Sequence, residues 1–143
     1  MWPGYAVTDM LFHRGRLLDH VHLRVADLEA SRAFYAAVLE SLGSGVGMEG
    51  PGFFVADELF VSADGPPTTG VHIAFQAPDR ETVHRFHEAG LAAGGRDNGA
   101  PGERHYHPGY YGAYVLDPDG NNIEAVYHGP TKRSAASVEV EPA

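Results

Sequence analysis

The strongest constraint on this chain is that it nearly repeats itself. Shifted by 52 positions without a gap, His20 falls on His72, Asp27 on Asp79, Phe34 on Phe86, Ala37 on Ala89, Leu39 on Leu91, Gly43 on Gly95 and Gly47 on Gly99. A strand pattern, a helix start, a core aromatic and a helix stop all coincide at one shift, which marks an internal duplication. Residues 70–77 (GVHIAFQA) open the second copy. A chain of 143 residues is large enough for one real core. The copies are therefore two half-size modules sharing one domain.

Each module has the same expected order. Residues 1–17 show no sustained period and form an irregular leader. From residue 18, Val21, Leu23 and Val25 alternate with His20, His22 and Arg24, the period-2 pattern of a strand. Asp27 caps a helix over 28–42 that turns Phe34, Tyr35, Val38, Leu39 and Leu42 inward, and Gly43 stops it. Runs at 45–48, 52–56 and 59–62 predict three strands in a meander. The Pro/Gly-rich stretch 63–70 is the seam.

In the second copy Val71, Ile73 and Phe75 alternate with His72, Ala74 and Gln76, and Asp79 caps a helix carrying Val83, Phe86, His87 and Leu91 up to Gly94 and Gly95. Residues 96–107 predict a loop around one short strand. Residues 110–116 and 122–127 predict two strands joined by a turn at 117–120 (DPDG). The tail from 129 has no apolar period and is expected to be mobile. The expected class is α+β: one domain over 18–128, built from βαβββ modules at 18–66 and 70–128, whose mixed sheets curve around a cleft.

Composition narrows the partner. A net charge of -9 and a pI near 5.3 disfavour nucleic acid and anionic membranes, which would be repelled, and favour a small molecule. There is no cysteine, so thiolate chemistry and Cys-type zinc sites are excluded. No apolar run approaches a membrane span and the first residues lack the order of a signal peptide, so a cytoplasmic protein is expected.

The alternation places Val21, Leu23, Ile73 and Phe75 on the helix-covered face, and His20, His22, His72 and Gln76 on the other. Read alone, His20 is a strand histidine on a wet surface. With His72 in equivalent register, and with Glu124 inside the apolar last strand, the three predict a site for a divalent metal with positions left open for water and substrate. The counterpart of Glu124 in the first module falls near Val61 or Ser62, so no fourth protein ligand is expected. His22 is either a neighbour of the metal ligands or plain cleft lining. In residues 104–114 (RHYHPGYYGAY), His107 and, less strongly, His105 are candidates for acid/base work near neutral pH, Tyr114 for a catalytic role, and Tyr110 and Tyr111 for the substrate wall. The structural alternative is a Pro-Gly turn whose tyrosines pack on the cleft rim.

Three segments, LDHVHLRVADLEASRAFYAAVLESLG, GVHIAFQAPDRETVHRFHEAGLAAGG and YVLDPDGNNIEAVYH, resemble the glyoxalase / bleomycin-resistance / extradiol dioxygenase superfamily, the vicinal oxygen chelate proteins. The resemblance implies paired βαβββ modules, usually dimers, with His20, His72 and Glu124 as metal ligands. Glyoxalase I proteins usually carry a further carboxylate ligand, which the region of Val61 does not offer. Residues 107–124 are similar to the extradiol dioxygenase signature, although Ala113 and His105 depart from it. Fosfomycin-resistance proteins also have a tyrosine at the Tyr114 position.

The expected function is therefore a metal-dependent enzyme acting on a small oxygenated substrate, of isomerase, lyase or dioxygenase type. The metal is one of iron, manganese, nickel, cobalt or zinc, since His/His/Glu suits them all. The alternative is a metal-free, bleomycin-resistance-type protein that binds a cationic small molecule in the same cleft. A vestigial site on an interaction module is the third reading.

Overall fold

The computed structural model describes residue 15 and residues 17–143, so the expected leader lies almost wholly outside the described residues. The order is β1 (Val21–Arg24), α1 (Leu28–Ser41), β2 (Met48–Gly50), β3 (Phe53–Ala56), β4 (Leu59–Ser62), β5 (His72–Gln76), α2 (Arg80–Ala92), β6 (Arg96–Glu103), β7 (Tyr111–Leu116) and β8 (Asn122–Tyr127). Two four-stranded sheets result, ordered β1-β4-β3-β2 and β5-β8-β7-β6. In each, the first strand runs parallel to the last and the others are antiparallel. The duplication seen in sequence is thus a duplication of topology.

Both helices start where their caps require. The Asp27 side chain accepts from the Ala30 N–H at 3.1 Å and Asp79 accepts from Thr82 N–H at 2.7 Å, which satisfies amides that the first turn leaves without partners. They end at glycines in the left-handed region, Gly43 at φ 84° and Gly94 at φ 98°. The 52-residue shift therefore shortens to 51 at the helix ends, and Gly94, not Gly95, has the role of Gly43. Gly95 answers a different need: a Cβ there would lie 2.6 Å from Phe34 Cε1, 2.4 Å from Val115 Cγ1 and 2.8 Å from the Gly90 carbonyl oxygen.

Most boundaries agree within one residue, and three differences bear on the site. Strand β1 begins at Val21, so His20 stands just outside it while His72 is the first residue of β5. Strand β2 is Met48–Gly50 rather than 45–48, because its register is set by the hairpin with β3, where Gly50 pairs with Phe53. The one short strand expected within residues 96–107 is the eight-residue strand β6, longer than foreseen, whose pairing with β7 shifts register on either side of Gly99. Such irregularities let a Gly- and Pro-bearing sequence remain in a sheet.

One apolar cluster unites the modules, from Leu23, Phe54 and Val61 through Phe34 and Val38 to Val83, Phe86, Val115 and Ile123. Helix α1 packs on α2. The turn 117–120 closes on the start of α1: Tyr35 Oη donates to Asp117 Oδ2 at 2.5 Å, and the Ala26 amide donates to Asp119 Oδ1 at 3.2 Å. The modules therefore meet through their helices, and no strand of one sheet is hydrogen-bonded to a strand of the other. The tail has neither helix nor strand. Among the described residues no helix is long and apolar enough to cross a membrane.

Candidate active site

Pairing in the second sheet assembles the site. Register β5–β8 sets Ala74 beside Glu124, with His72 two residues earlier on the same face, and β7–β8 sets Tyr114 opposite Glu124. Their neighbours Ile73, Phe75, Ile123, Ala125 and Val115 take the core side, as period-2 alternation requires. His72 and Glu124 consequently meet, with Nε2 2.8 Å from Oε1.

Glu124 is only 1% exposed. Burying a carboxylate is costly unless both oxygens find partners, and both do: His72 faces Oε1, and the Tyr110 hydroxyl donates a short hydrogen bond to Oε2. Burial, followed by the bond to Glu124 and its charge, pushes the Tyr110 phenol well above its ordinary range. The Tyr114 phenol is pushed up to about 12, by burial first and then by the charge of Glu124. The Arg104 guanidinium, 5.2 Å from the Tyr114 ring centroid, acts in the opposite sense.

Above this pair opens a cavity of about 480 Å³, also lined by Tyr106, His107 and His128. His107 is 7% exposed; its Nδ1 lies 2.8 Å from the Pro108 carbonyl oxygen and its Nε2 2.8 Å from His128 Nδ1. A carbonyl oxygen can only accept, so Nδ1 carries the proton of the first contact, and the second needs one proton between the two rings. The two rings stack at 5.0 Å.

The structure thus brings together five of the residues singled out from sequence: His72, Glu124, His107, Tyr110 and Tyr114. It does not bring His20 to them. The side chain of His20 is 62% exposed and its Nδ1 lies 2.7 Å from Asp19 Oδ1, and among the described residues no three His, Asp or Glu side chains converge to hold a metal. His22 also stands apart on the first sheet, with Nε2 2.7 Å from Ser62 Oγ and its ring edge-on to Phe60. Register corrects the counterpart of Glu124: His22, equivalent to Ala74, pairs with Phe60, so Phe60 and not Val61 or Ser62 occupies that position.

Gln76 is exposed and accepts a short hydrogen bond from Arg133 of the tail. Tyr111 is not on the cavity side. As the neighbour of Tyr110 it points to the helix face, where its hydroxyl is 2.7 Å from His84 Nε2 and the Arg80 guanidinium lies 4.6 Å from its ring centroid. Two lining residues were not foreseen. His128 lies four residues beyond Glu124 and so has the parity of the same strand face, and Tyr106 sits inside the His- and Tyr-rich loop.

Comparison with known proteins follows the geometry. Residues 48–125 match the family model of the Glyoxalase/Bleomycin resistance protein/Dioxygenase superfamily. A glyoxalase/bleomycin resistance protein from Albidiferax ferrireducens T118 is 35% identical with a TM-score of 0.66, the alignment covering 76% of this chain and 96% of that one. A glyoxalase/bleomycin resistance protein/dioxygenase family enzyme from Burkholderia phytofirmans PsJN is 25% identical, TM-score 0.60, covering 76% and 95%. A glyoxalase-related enzyme from Fulvimarina pelagi, 21% identical with a TM-score of 0.61 over 84% and 99%, shares the fold. No curated protein matches the sequence.

Proposed function

The chain belongs to the Glyoxalase/Bleomycin resistance protein/Dioxygenase superfamily, and from that premise we propose a metal-dependent enzyme in which His72 and Glu124 hold a divalent ion and His20 of a second copy of the chain completes the set. The observation that carries this reading is the buried Glu124 carboxylate facing the His72 imidazole at 2.8 Å on the floor of an open cavity. One imidazole nitrogen and one carboxylate oxygen are donors that suit iron, manganese, cobalt, nickel or zinc, and they supply two of the three ligands expected. When bound, such an ion would supply Lewis-acid polarisation of two substrate oxygens.

The chain's own groups fill the remaining roles. Tyr114, a phenol that keeps its proton through neutral pH, donates a hydrogen bond to negative charge developing on the substrate. His107 and His128, joined nitrogen to nitrogen, hold a proton beside the cavity and pass it between substrate and ring. Tyr106, 45% exposed, borders the entrance. Isomerase, lyase and ring-opening dioxygenase chemistry would each begin from a small substrate that offers two oxygens to such an ion.

A second copy is favoured by the first sheet. Its face away from the helix carries a stacked Phe53–Phe60 pair at 5.8 Å, and Met48 is 59% exposed beside it. Apolar surface of that kind seeks cover, and the reading requires a symmetric dimer that sets His20 of one copy beside His72 of the other.

The cavity also supports a second reading, metal-free capture of a cationic small molecule, since three tyrosine and three histidine rings surround a buried carboxylate in a protein of charge -9. Elemental analysis of protein purified without chelator, beside His72→Ala, decides between them. About one bound transition metal per chain in the wild type and none in the variant supports the enzyme; no uptake from added divalent ions sinks it and leaves the binding protein.

A further inference from the structure

We infer that Tyr110 and Gly112 form a cradle that fixes the Glu124 carboxylate so that Oε1 alone is offered beside His72, making Tyr110, which also lines the cavity, a positioning residue for the metal ligand. The inference rests on the metal reading above and adds to it the device that sets the ligand's geometry.

The two oxygens of Glu124 have separate partners. Oε2 receives the Tyr110 hydroxyl, and Oε1 lies 2.8 Å from His72 Nε2. A carboxylate with both oxygens open can swing between one- and two-oxygen binding. With Oε2 occupied by a phenol, the group is held as a one-oxygen ligand aimed at the position next to the imidazole. Partners of this kind orient ligands and raise affinity by removing the motion that binding would otherwise have to freeze.

Gly112 is an independent observation of the same design. It lies on β7 one alternation from Tyr114, paired with Val126. A Cβ built there would stand 2.9 Å from Glu124 Oε2, 3.4 Å from Tyr110 Cε1 and 3.4 Å from the Ala125 carbonyl oxygen. The Ala125 oxygen is at ordinary contact distance, but 2.9 Å is too close for Oε2, so a methyl group at this position pushes the carboxylate off its seat. The glycine leaves the space into which Oε2 settles.

Tyr110 is itself clamped. Its ring meets Tyr106 edge-on at 4.9 Å, His107 at 5.4 Å and His128 at 5.2 Å. Its amide donates to the His107 carbonyl at 3.1 Å and its carbonyl accepts from the Arg104 amide at 3.0 Å. A phenol braced on three sides keeps its hydroxyl where the carboxylate needs it, which is the requirement for a preorganised site. Tyr111, the next residue, faces the helix and touches none of this, so it serves as the control.

The test is calorimetric titration of the full-length protein with Co²⁺, together with the visible absorption of the cobalt-loaded form. It compares wild type, Tyr110→Phe, Gly112→Ala, Glu124→Gln and Tyr111→Phe, with the melting temperature of each metal-free variant recorded. Tyr110→Phe and Gly112→Ala are each expected to weaken Co²⁺ binding by roughly 10- to 100-fold and to change the absorption spectrum, whereas Tyr111→Phe changes neither. Wild-type affinity and spectrum in a folded Tyr110→Phe, with binding lost in Glu124→Gln, overturns the cradle and leaves the metal site standing. If Tyr110→Phe does not fold, Gly112→Ala decides by the same two readouts. Failure of the wild type to bind Co²⁺ overturns the metal reading and the cradle with it.

Discussion

Tyr35 in α1 donates its hydroxyl to Asp117 at 2.5 Å across 82 positions of sequence, and both side chains are buried. Asp117 uses its other oxygen to accept the Asp119 and Asn121 amides at 3.0 and 2.8 Å. One carboxylate therefore shapes the 117–120 turn and ties it to the helix of the other module. Tyr35→Phe leaves that buried oxygen without its donor and is expected to destabilise the fold by about 1–3 kcal/mol. A lower urea midpoint at unchanged slope is the signature; an unchanged midpoint would mean the bond contributes nothing.

The same pair predicts a pH response. Burial first, then the charge of Asp117 and the bond to it, raise the Tyr35 phenol far above the value of about 10 that it has in an unfolded chain. Native protein therefore keeps a proton that unfolded protein releases. The stabilisation is fully present below about pH 10 and is lost progressively as pH rises beyond it. Urea midpoints measured through the alkaline range should fall, and should fall less steeply in Tyr35→Phe.

If the site is shared between copies, variants complement each other. His20→Ala and Glu124→Ala each lose metal alone. Co-refolded in equal amounts they form mixed dimers in which one of the two sites has every ligand, so about a quarter of wild-type metal content returns. A site built within one chain would regain none.

Dimer formation should depend on the half-buried aromatic pair of the first sheet. Phe53→Glu places a charge against the Phe60 ring and is expected to shift sedimentation toward the monomer. Unchanged sedimentation would place the contact elsewhere.

Gly95→Ala tests the packing of the modules. Its Cβ would fall 2.8 Å from the Gly90 carbonyl oxygen as well as onto Phe34 and Val115, and backbone cannot yield as a side chain can. Overpacking of this kind costs about 1–3 kcal/mol. Thermal denaturation should show a clear loss, against little change for Ala at the solvent-facing Leu91, which is 39% exposed.

Much of the fold was legible because its signals are local. Asp27 and Asp79 cap the helices from their place in sequence, and alternation alone sets His72 on the face away from the helix. Signals failed where pairing partners decide. Strand β6 carries Gly99, Pro101 and Gly102, which argue for loop, yet β7 offers it a partner and bulges absorb the mismatch. Tyr110 and Tyr111 look interchangeable in sequence, but adjacent strand residues face opposite ways, so one binds Glu124 and the other His84.

The sequence by itself determined the two modules, the order of their elements, the apolar face of each module's first strand and, with the family it resembles, His72 and Glu124 as candidate ligands. Only the tertiary structure decided how the modules are joined, and with that where His20 lies. Periodicity fixes which face of a sheet is apolar within a few residues, but it cannot say which apolar faces meet. Here Phe34 against the bare backbone of Gly95 and Tyr35 against Asp117 draw the helices together. The polar faces that a sequence reading sets opposite one another are left to look elsewhere for a partner.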